Sequence, residues 1–364
     1  MAVAIEEKSA SSPLSFLTDN AIALAITDTY SSLQERRRLL GLENPGTVDG
    51  IAREVQKDVL LTNFMFSGLR CDLQKIFSVN PLFRLQHGFA MGSQALPPWQ
   101  LMALYGNSNL AQVFMQAAYS SDKSLTAWGN LRWSPRFVTK TQTSIDPRQA
   151  QTMVQFDNEY TGEDFSASVK AISPSILEGG LTGIVIGSYL QSLTPRLALG
   201  LEGVWQRAAL NSRPETAVSY CARYKGTDWI ASAQYLAQGS LGASYWRRLT
   251  DKVEAGVDCQ LQFAPGMGGA GMFGGVRREG TTTVGVKYNF TTSVYRAQVD
   301  SAGKFGVVLE KRVAPPVTLT FAAEIDQWKN THKLGLAVSL EGAPEELQEI
   351  AERPENAQVM PPPI

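Results

Sequence analysis

HKLGLAVSLE, residues 332–341, alternates with almost no error. Leu334, Leu336, Val338 and Leu340 fall on one side, and Gly335, Ala337, Ser339 and Glu341 on the other. Period-two alternation of this kind is a strand with one aliphatic face and one small, polar face. Two architectures accept such a strand. A soluble sandwich or barrel turns the aliphatic face inward, whereas a membrane barrel turns it out to lipid and lines a watery lumen with the polar face.

The pattern recurs and decides between them. VEAGVDCQLQF sets Val253, Ala255, Val257, Cys259, Leu261 and Phe263 against Glu254, Gly256, Asp258, Gln260 and Gln262. VTLTFAAEIDQW sets Val317, Leu319, Phe321, Ala323 and Ile325 against Thr318, Thr320, Ala322, Glu324 and Asp326. TMVQFDNEY and TTVGVKYNF repeat it. Ionised groups in mid-strand are costly against a dry core and cheap against water, so the polar face is wet. Turn signals divide the chain from Thr62 onward into about nineteen such strands, at about fifteen residues per strand and turn. Open sheets rarely exceed about ten strands, and a closed barrel leaves no unpaired edge in lipid. The fold class is therefore all-β, a transmembrane β-barrel of about 19 strands. Trp133, Tyr160, Trp205, Trp229, Tyr245, Tyr288 and Trp328, near strand ends, fit interfacial girdles. RFVTKTQTS and SYCARYKG alternate too weakly to orient.

Composition agrees with this reading. The 364 residues carry a formal net charge of −1, which argues against a nucleic-acid partner. There is no apolar run of about eighteen residues, so no helix is expected to span a membrane. The first residues, MAVAIEEKSASSPLSF, are acidic where a cleaved targeting signal is basic. Cys71, Cys221 and Cys259 show no metal spacing, and the only histidines are His87 and His332. Neither a metal, a cofactor nor a catalytic constellation is expected. APGMGGAGMFGGVRREG, residues 264–280, has the texture of a phosphate loop but lacks the GK[ST] ending.

Three regions follow. Residues 1–61 form an N-terminal helical extension. In it, TDTYSSLQERRRLL and NPGTVDGIAREVQKDVL carry helix signals, and Val48, Ile51, Val55 and Val59 make one apolar stripe for a helix in or lining the pore. Residues 62–341 are the barrel, and 342–364 an acidic, Pro-rich tail with a short helix between Pro344 and Pro354.

An odd strand count with an N-terminal helix resembles the eukaryotic mitochondrial porins. Lys333, Gly335, Val338 and Leu340 match the polar-x-Gly-x-x-hydrophobic-x-hydrophobic sorting signal of their last strand. NPGTVDGIAREVQKDVLLTNFMFSGLRCDL and NPLFRLQHGFAMGS resemble more closely the channel-forming subunits of the translocase of the outer mitochondrial membrane, the TOM complex, in their filamentous-fungal form. The resemblance implies one parallel closing pair, 62–77 against 333–341, and both termini in the intermembrane space. It also implies a pore for unfolded precursor proteins. The implied partners are the receptor and small helical subunits of the complex, small Tim chaperones of the intermembrane space, outer-membrane phospholipids, and further copies of the chain within a hetero-oligomer.

Import presequences are amphipathic and Arg-rich. By alternation Asp157, Glu159, Glu202, Glu254, Asp258, Glu310, Glu324 and Asp326 face the lumen and offer acidic patches for them. The pairs Glu254 with Asp258 and Glu324 with Asp326 are the foremost candidates. Arg132, Lys170, Lys287, Arg296 and Arg312 fall on the same side. The alternative functions are an anion-channel-like metabolite porin, which predicts a basic lumen, and a soluble barrel enzyme or carrier.

Overall fold

The computed structural model describes residues 37, 40–79, 81–93, 96–107, 112–148, 151–175, 181–208, 211–264 and 277–342. Nineteen strands make one sheet closed on itself. In chain order they are β1 Gly68–Val79, β2 Leu82–Met91, β3 Trp99–Asn107, β4 Gln112–Ser120, β5 Leu125–Ser134, β6 Phe137–Asp146, β7 Gln151–Thr161, β8 Phe165–Ser175, β9 Thr182–Ser192 and β10 Leu197–Arg207. The remainder are β11 Glu215–Lys225, β12 Trp229–Leu236, β13 Ser240–Thr250, β14 Val253–Ala264, β15 Arg277–Asn289, β16 Ser293–Asp300, β17 Lys304–Ala314, β18 Val317–Asp326 and β19 Thr331–Gly342. Each strand pairs antiparallel with its neighbours in the chain, and β1 closes on β19 in parallel. An odd number of strands that reverse direction at every turn leaves the first and last running the same way, so the seam is parallel by arithmetic.

The seam register runs from Gly68 against Gly335 to Lys75 against Gly342. The first strand thus begins at Gly68 rather than Thr62. Phe64, Met65 and Phe66 stay inside instead, packed on Leu61, Val308 and Ala322. Gly68 makes the bend into the wall. Its φ is +85°, and a Cβ there would lie 2.3 Å from the Met91 carbonyl oxygen, so only glycine passes.

One rim of the barrel carries the end of β19 at Gly342 and the turns that close β7–β8, β9–β10 and β11–β12. The N-terminal residues enter at this same rim. Arg37 pairs with Asp164, the Asn44 amide donates to the carbonyls of Gly162 and Phe165, and Lys225 pairs with Glu43. We call it the terminal rim. The far rim carries Gly68 and the β18–β19 turn.

From the terminal rim an inner segment, 43–67, crosses the lumen to the far rim. It contains a 3-10 turn, Val48–Gly50, and a π-helical turn, Glu54–Val59. Val48, Ile51, Val55 and Val59 are all buried against the wall, Val59 completely (0% exposed). Val48 and Ile51 pack on Leu190, Ala198 and Cys221 of β9, β10 and β11. Gly256 and Gly285 are directly opposite each other in the β14–β15 register. A Cβ at Gly256 would meet Val55 Cγ1 at 3.1 Å, and one at Gly285 would meet Leu60 Cδ2 at 2.8 Å. Missing side chains in the wall make the seat.

Polar groups then lock the segment. The Leu61 N–H donates to Gln298 Oε1 at 2.7 Å. Arg296 pairs with Glu310 at 3.1 Å, donates to the Asp58 carbonyl and lies 3.9 Å from the centre of the Phe64 ring. Arg223 pairs with Glu54, and Lys170 with Asp49.

On the outside, alternate residues present a nearly continuous apolar band. Leu69, Leu73, Val218, Tyr220, Val284, Val299, Phe321 and Leu334 are all exposed there. Six of the seven expected girdle aromatics lie near strand ends, Trp133, Tyr160, Trp229 and Tyr288 towards the terminal rim and Trp205 and Trp328 towards the far rim, whereas Tyr245 stands at the middle of β13. Tyr224, Trp229 and Tyr245 stack in a row across three strands, with centroids 5.0 and 5.8 Å apart. No helix among the described residues is long and apolar enough to cross a membrane; the strands do that work. The expected tail helix (343–364), most of the 27–40 helix and the centre of the Gly-rich loop lie outside the described residues.

Candidate functional site: the lumen wall

Ladder register fixes which side chains look inward, because directly paired residues share a face with each other and with the seat of the inner segment. All eight sequence-named acids face the lumen, as do Arg132, Lys170, Lys287, Arg296 and Arg312. Most of the acids are occupied. Glu159 pairs with Lys140, Glu254 with Lys287 at 3.7 Å, Glu310 with Arg296, and Glu324 with Lys333 at 3.2 Å. Asp326 is 5% exposed and accepts from the backbone N–H groups of Trp328 and Lys329, which makes it the first residue of the β18–β19 turn. Asp258, 8% exposed, accepts from the Gln260 amide.

The two foremost pairs are therefore each half ion pair and half buried carboxylate. Glu202 differs: it is half-buried, has no ion-pair partner among the described residues, and stands on β10 beside the Lys170–Asp49 pair. Asp157, on β7 opposite Lys170, is 5% exposed, and one of its oxygens has no hydrogen-bond partner. These residues form the most acid-rich stretch of the waist, and Asp49 reaches it from the inner segment.

Charge is also unequal along the axis. Set aside the ion pairs, which nearly cancel at a distance, and consider inward groups that no described acid or base partners. Towards the far rim these are Asp146, Glu215, Asp300 and Asp326, against Lys304. Towards the terminal rim they are Arg84, Arg248 and Arg312, against Glu341, which accepts from the Gln74 amide. Turn chemistry explains part of the acid excess. Asp146 and Asp300 accept backbone N–H groups of Arg148 and Ala302, the Asx geometry that opens a tight turn, and alternation aims them inward. A sequence scan for mid-strand acids passes over such terminal residues.

The sequence also left Lys140, Arg223, Glu54 and Asp49 unassigned. Lys140 was hidden because its strand is threonine-rich on the lipid side, with Thr139, Thr141 and Thr143 outward. Arg223 and Lys225 face inward on β11, with Tyr220 and Tyr224 outward. The last-strand residues Lys333 and Gly335 face the lumen, and Val338 and Leu340 face lipid. A Cβ at Gly335 would lie 2.5 Å from the Phe66 carbonyl oxygen, so the inner segment passes directly over it. No group of residues fit to hold a metal exists among the described residues.

Comparison with known proteins gives the same assignment. The eukaryotic porin family matches residues 44–335. The mitochondrial import receptor subunit tom40 of Neurospora crassa is 53% identical over 342 residues, 94% of this chain and 95% of that one. The mitochondrial import receptor subunit TOM40 of Saccharomyces cerevisiae is 41% identical over 338 residues, 90% of this chain and 86% of that one. Human TOM40B is 29% identical over 332 residues, 88% and 99% of the two chains. The chain belongs to the eukaryotic porin family, in the branch of the mitochondrial import receptor subunits named Tom40.

Proposed function

We infer that the chain is the protein-conducting channel of the mitochondrial outer membrane import complex, and that it takes basic, amphipathic presequences in through the far rim. The observation that carries the direction is the axial charge order. Among the described inward groups without an ion-pair partner, acids outnumber cations at the far rim (Asp146, Glu215, Asp300 and Asp326 against Lys304), further acid stands at the waist (Glu202, with Asp157), and arginines outnumber acids at the terminal rim (Arg84, Arg248 and Arg312 against Glu341). A cationic helix arriving at the far rim moves down in energy on entering and meets weak, water-screened attraction throughout, which captures without trapping. On this reading the terminal rim faces the intermembrane space, in keeping with the resemblance. Receptor and small helical subunits, small Tim chaperones, phospholipid and further copies of the chain are proposed partners on the same ground.

Among the sequence-named acids, Glu202 is assigned the direct role. Glu159, Glu254, Glu310 and Glu324 are assigned the task of neutralising wall cations, and Asp157, Asp258 and Asp326 that of shaping the field from within the wall. The test is single-channel recording with a synthetic presequence. Glu202→Gln with Glu215→Gln and Asp300→Asn is expected to raise the half-blocking peptide concentration at least about tenfold in low salt, and much less near 1 M salt. Block at the unaltered concentration in that variant would refute the assignment, and anion preference with no peptide response would favour a metabolite porin.

A further inference from the structure

Asp157 stands between two lysines and pairs with neither. In the ladder it lies opposite Lys140 on β6 and opposite Lys170 on β8. The Lys140 ammonium bonds Glu159 instead, and the Lys170 ammonium bonds Asp49 of the inner segment. Asp157 is 5% exposed, and its Oδ1 has no hydrogen-bond partner. A carboxylate oxygen left so within the wall is costly, because no water replaces the missing donor. Cations are scarce around it. The charges that reach Asp157 are those of Glu159, Lys170, Lys140 and Asp49, and those that reach Glu202 are Asp49 and Lys170. Four carboxylates thus share two lysines.

Of the two lysines, Lys170 is the one whose partner can leave. Glu159 is fixed in the wall on β7, whereas Asp49 rides on the inner segment, and its side chain is 49% exposed. Freed into lumen water, the Asp49 carboxylate loses little. Lys170 then has Asp157 directly across the ladder, about 4.8 Å away strand to strand, well within the reach of a lysine side chain.

We propose that Lys170 is a two-position counter-ion that couples the inner segment to the charge of the lumen wall. On Asp49 it pins the terminal-rim half of the segment and leaves Asp157 bare; on Asp157 it satisfies the wall and lets that half go. The other half is held by different means, the burial of Val55, Val59, Leu60 and Leu61 and the bond from Leu61 to Gln298, so the segment swings from a fixed end. Because one ion is shared, cationic charge brought to Asp157 and Glu202 by another molecule takes their pull off Lys170 and favours the docked form. The proposal does not rest on what the channel conducts, and its tests need no peptide.

The native thiol of Cys221 reads the position of that half. It is 7% exposed, packed against Val48 and Ile51, so a water-soluble maleimide reaches it from the released form at a rate proportional to that form's population. In the full chain in lipid, with Cys71 and Cys259 changed to alanine, Asp157→Asn is expected to slow modification about threefold and Asp49→Asn to speed it about threefold, as befits a partly exposed pair. With Asp49→Asn already present, Asp157→Asn should have no further effect, because Lys170 no longer has two partners to choose between. If Asp157→Asn speeds modification, leaves it unchanged, or slows it equally with and without Asp49, the proposal is overturned. Amide exchange gives a second reading. The Gly50 and Ile51 N–H groups, each 3.1 Å from the carbonyls of Thr47 and Val48, should follow the thiol while those of Leu60 and Leu61 hold steady. Equal change at all four amides would show the segment moving as one body and would overturn the proposal as well.

Discussion

Val59→Ala isolates what holds the inner segment in the lumen. Val59 is completely buried, and its Cγ1 lies 3.2 Å from where a Cβ would stand on Gly285. The substitution removes two methyl groups worth about 0.8 kcal/mol each in transfer from water. The floor beneath is a strand ladder with glycines in it, which has no side chain to move into the gap, so a cavity term brings the loss to about 2 kcal/mol. The lumen is wet and the segment has water to go to, so this loss falls on docking rather than on the barrel. At 1.4 kcal/mol per tenfold, the undocked population rises about thirtyfold. Amide exchange reads it locally, since the Leu60 N–H bonds the Val55 carbonyl at 2.9 Å and the Leu61 N–H bonds Gln298. Both amides should exchange about thirtyfold faster while strand amides of β14 and β15 keep their protection. Acceleration below about twofold, or equal acceleration across the wall, would refute the reasoning from local burial.

Other outcomes follow from the same contacts. Gln298→Leu leaves the Leu61 N–H without its acceptor, at a cost of about 1–3 kcal/mol, and should speed exchange at Leu61 more than at Leu60; equal effects at both would argue against a specific cap. Gly285→Ala drives a Cβ to 2.8 Å from Leu60 Cδ2. It should cost about 1–3 kcal/mol of docking by the same exchange measurement, and Leu60→Ala in the same chain should recover most of it; absence of recovery would place the strain elsewhere. Glu324→Gln breaks a pair whose lysine is largely exposed, so thermal stability should change by less than about 1 kcal/mol. A large loss of melting temperature would show that this pair braces the seam.

The alternation in HKLGLAVSLE and its fellows determined the barrel because its physics is local. A strand in a closed sheet between water and lipid must show each solvent one face, whatever its neighbours are. Strand number and the lumen side of each strongly alternating segment follow from that rule, and the buried stripe Val48, Ile51, Val55 and Val59 follows from its helical spacing. Whether a lumen acid is open or spent did not follow. Glu254 and Glu202 look equivalent in sequence, yet one pairs with Lys287 across the ladder and the other has no ion pair among the described residues, because register sets cross-strand partners and register is a property of the closed sheet. The same limit hid the seat of the inner segment: Gly256, Gly285 and Gly335 lie about 200 residues or more from the side chains that fill their space. The charge order from rim to rim also needed the fold, since it sums single residues from strands that only closure places around one axis.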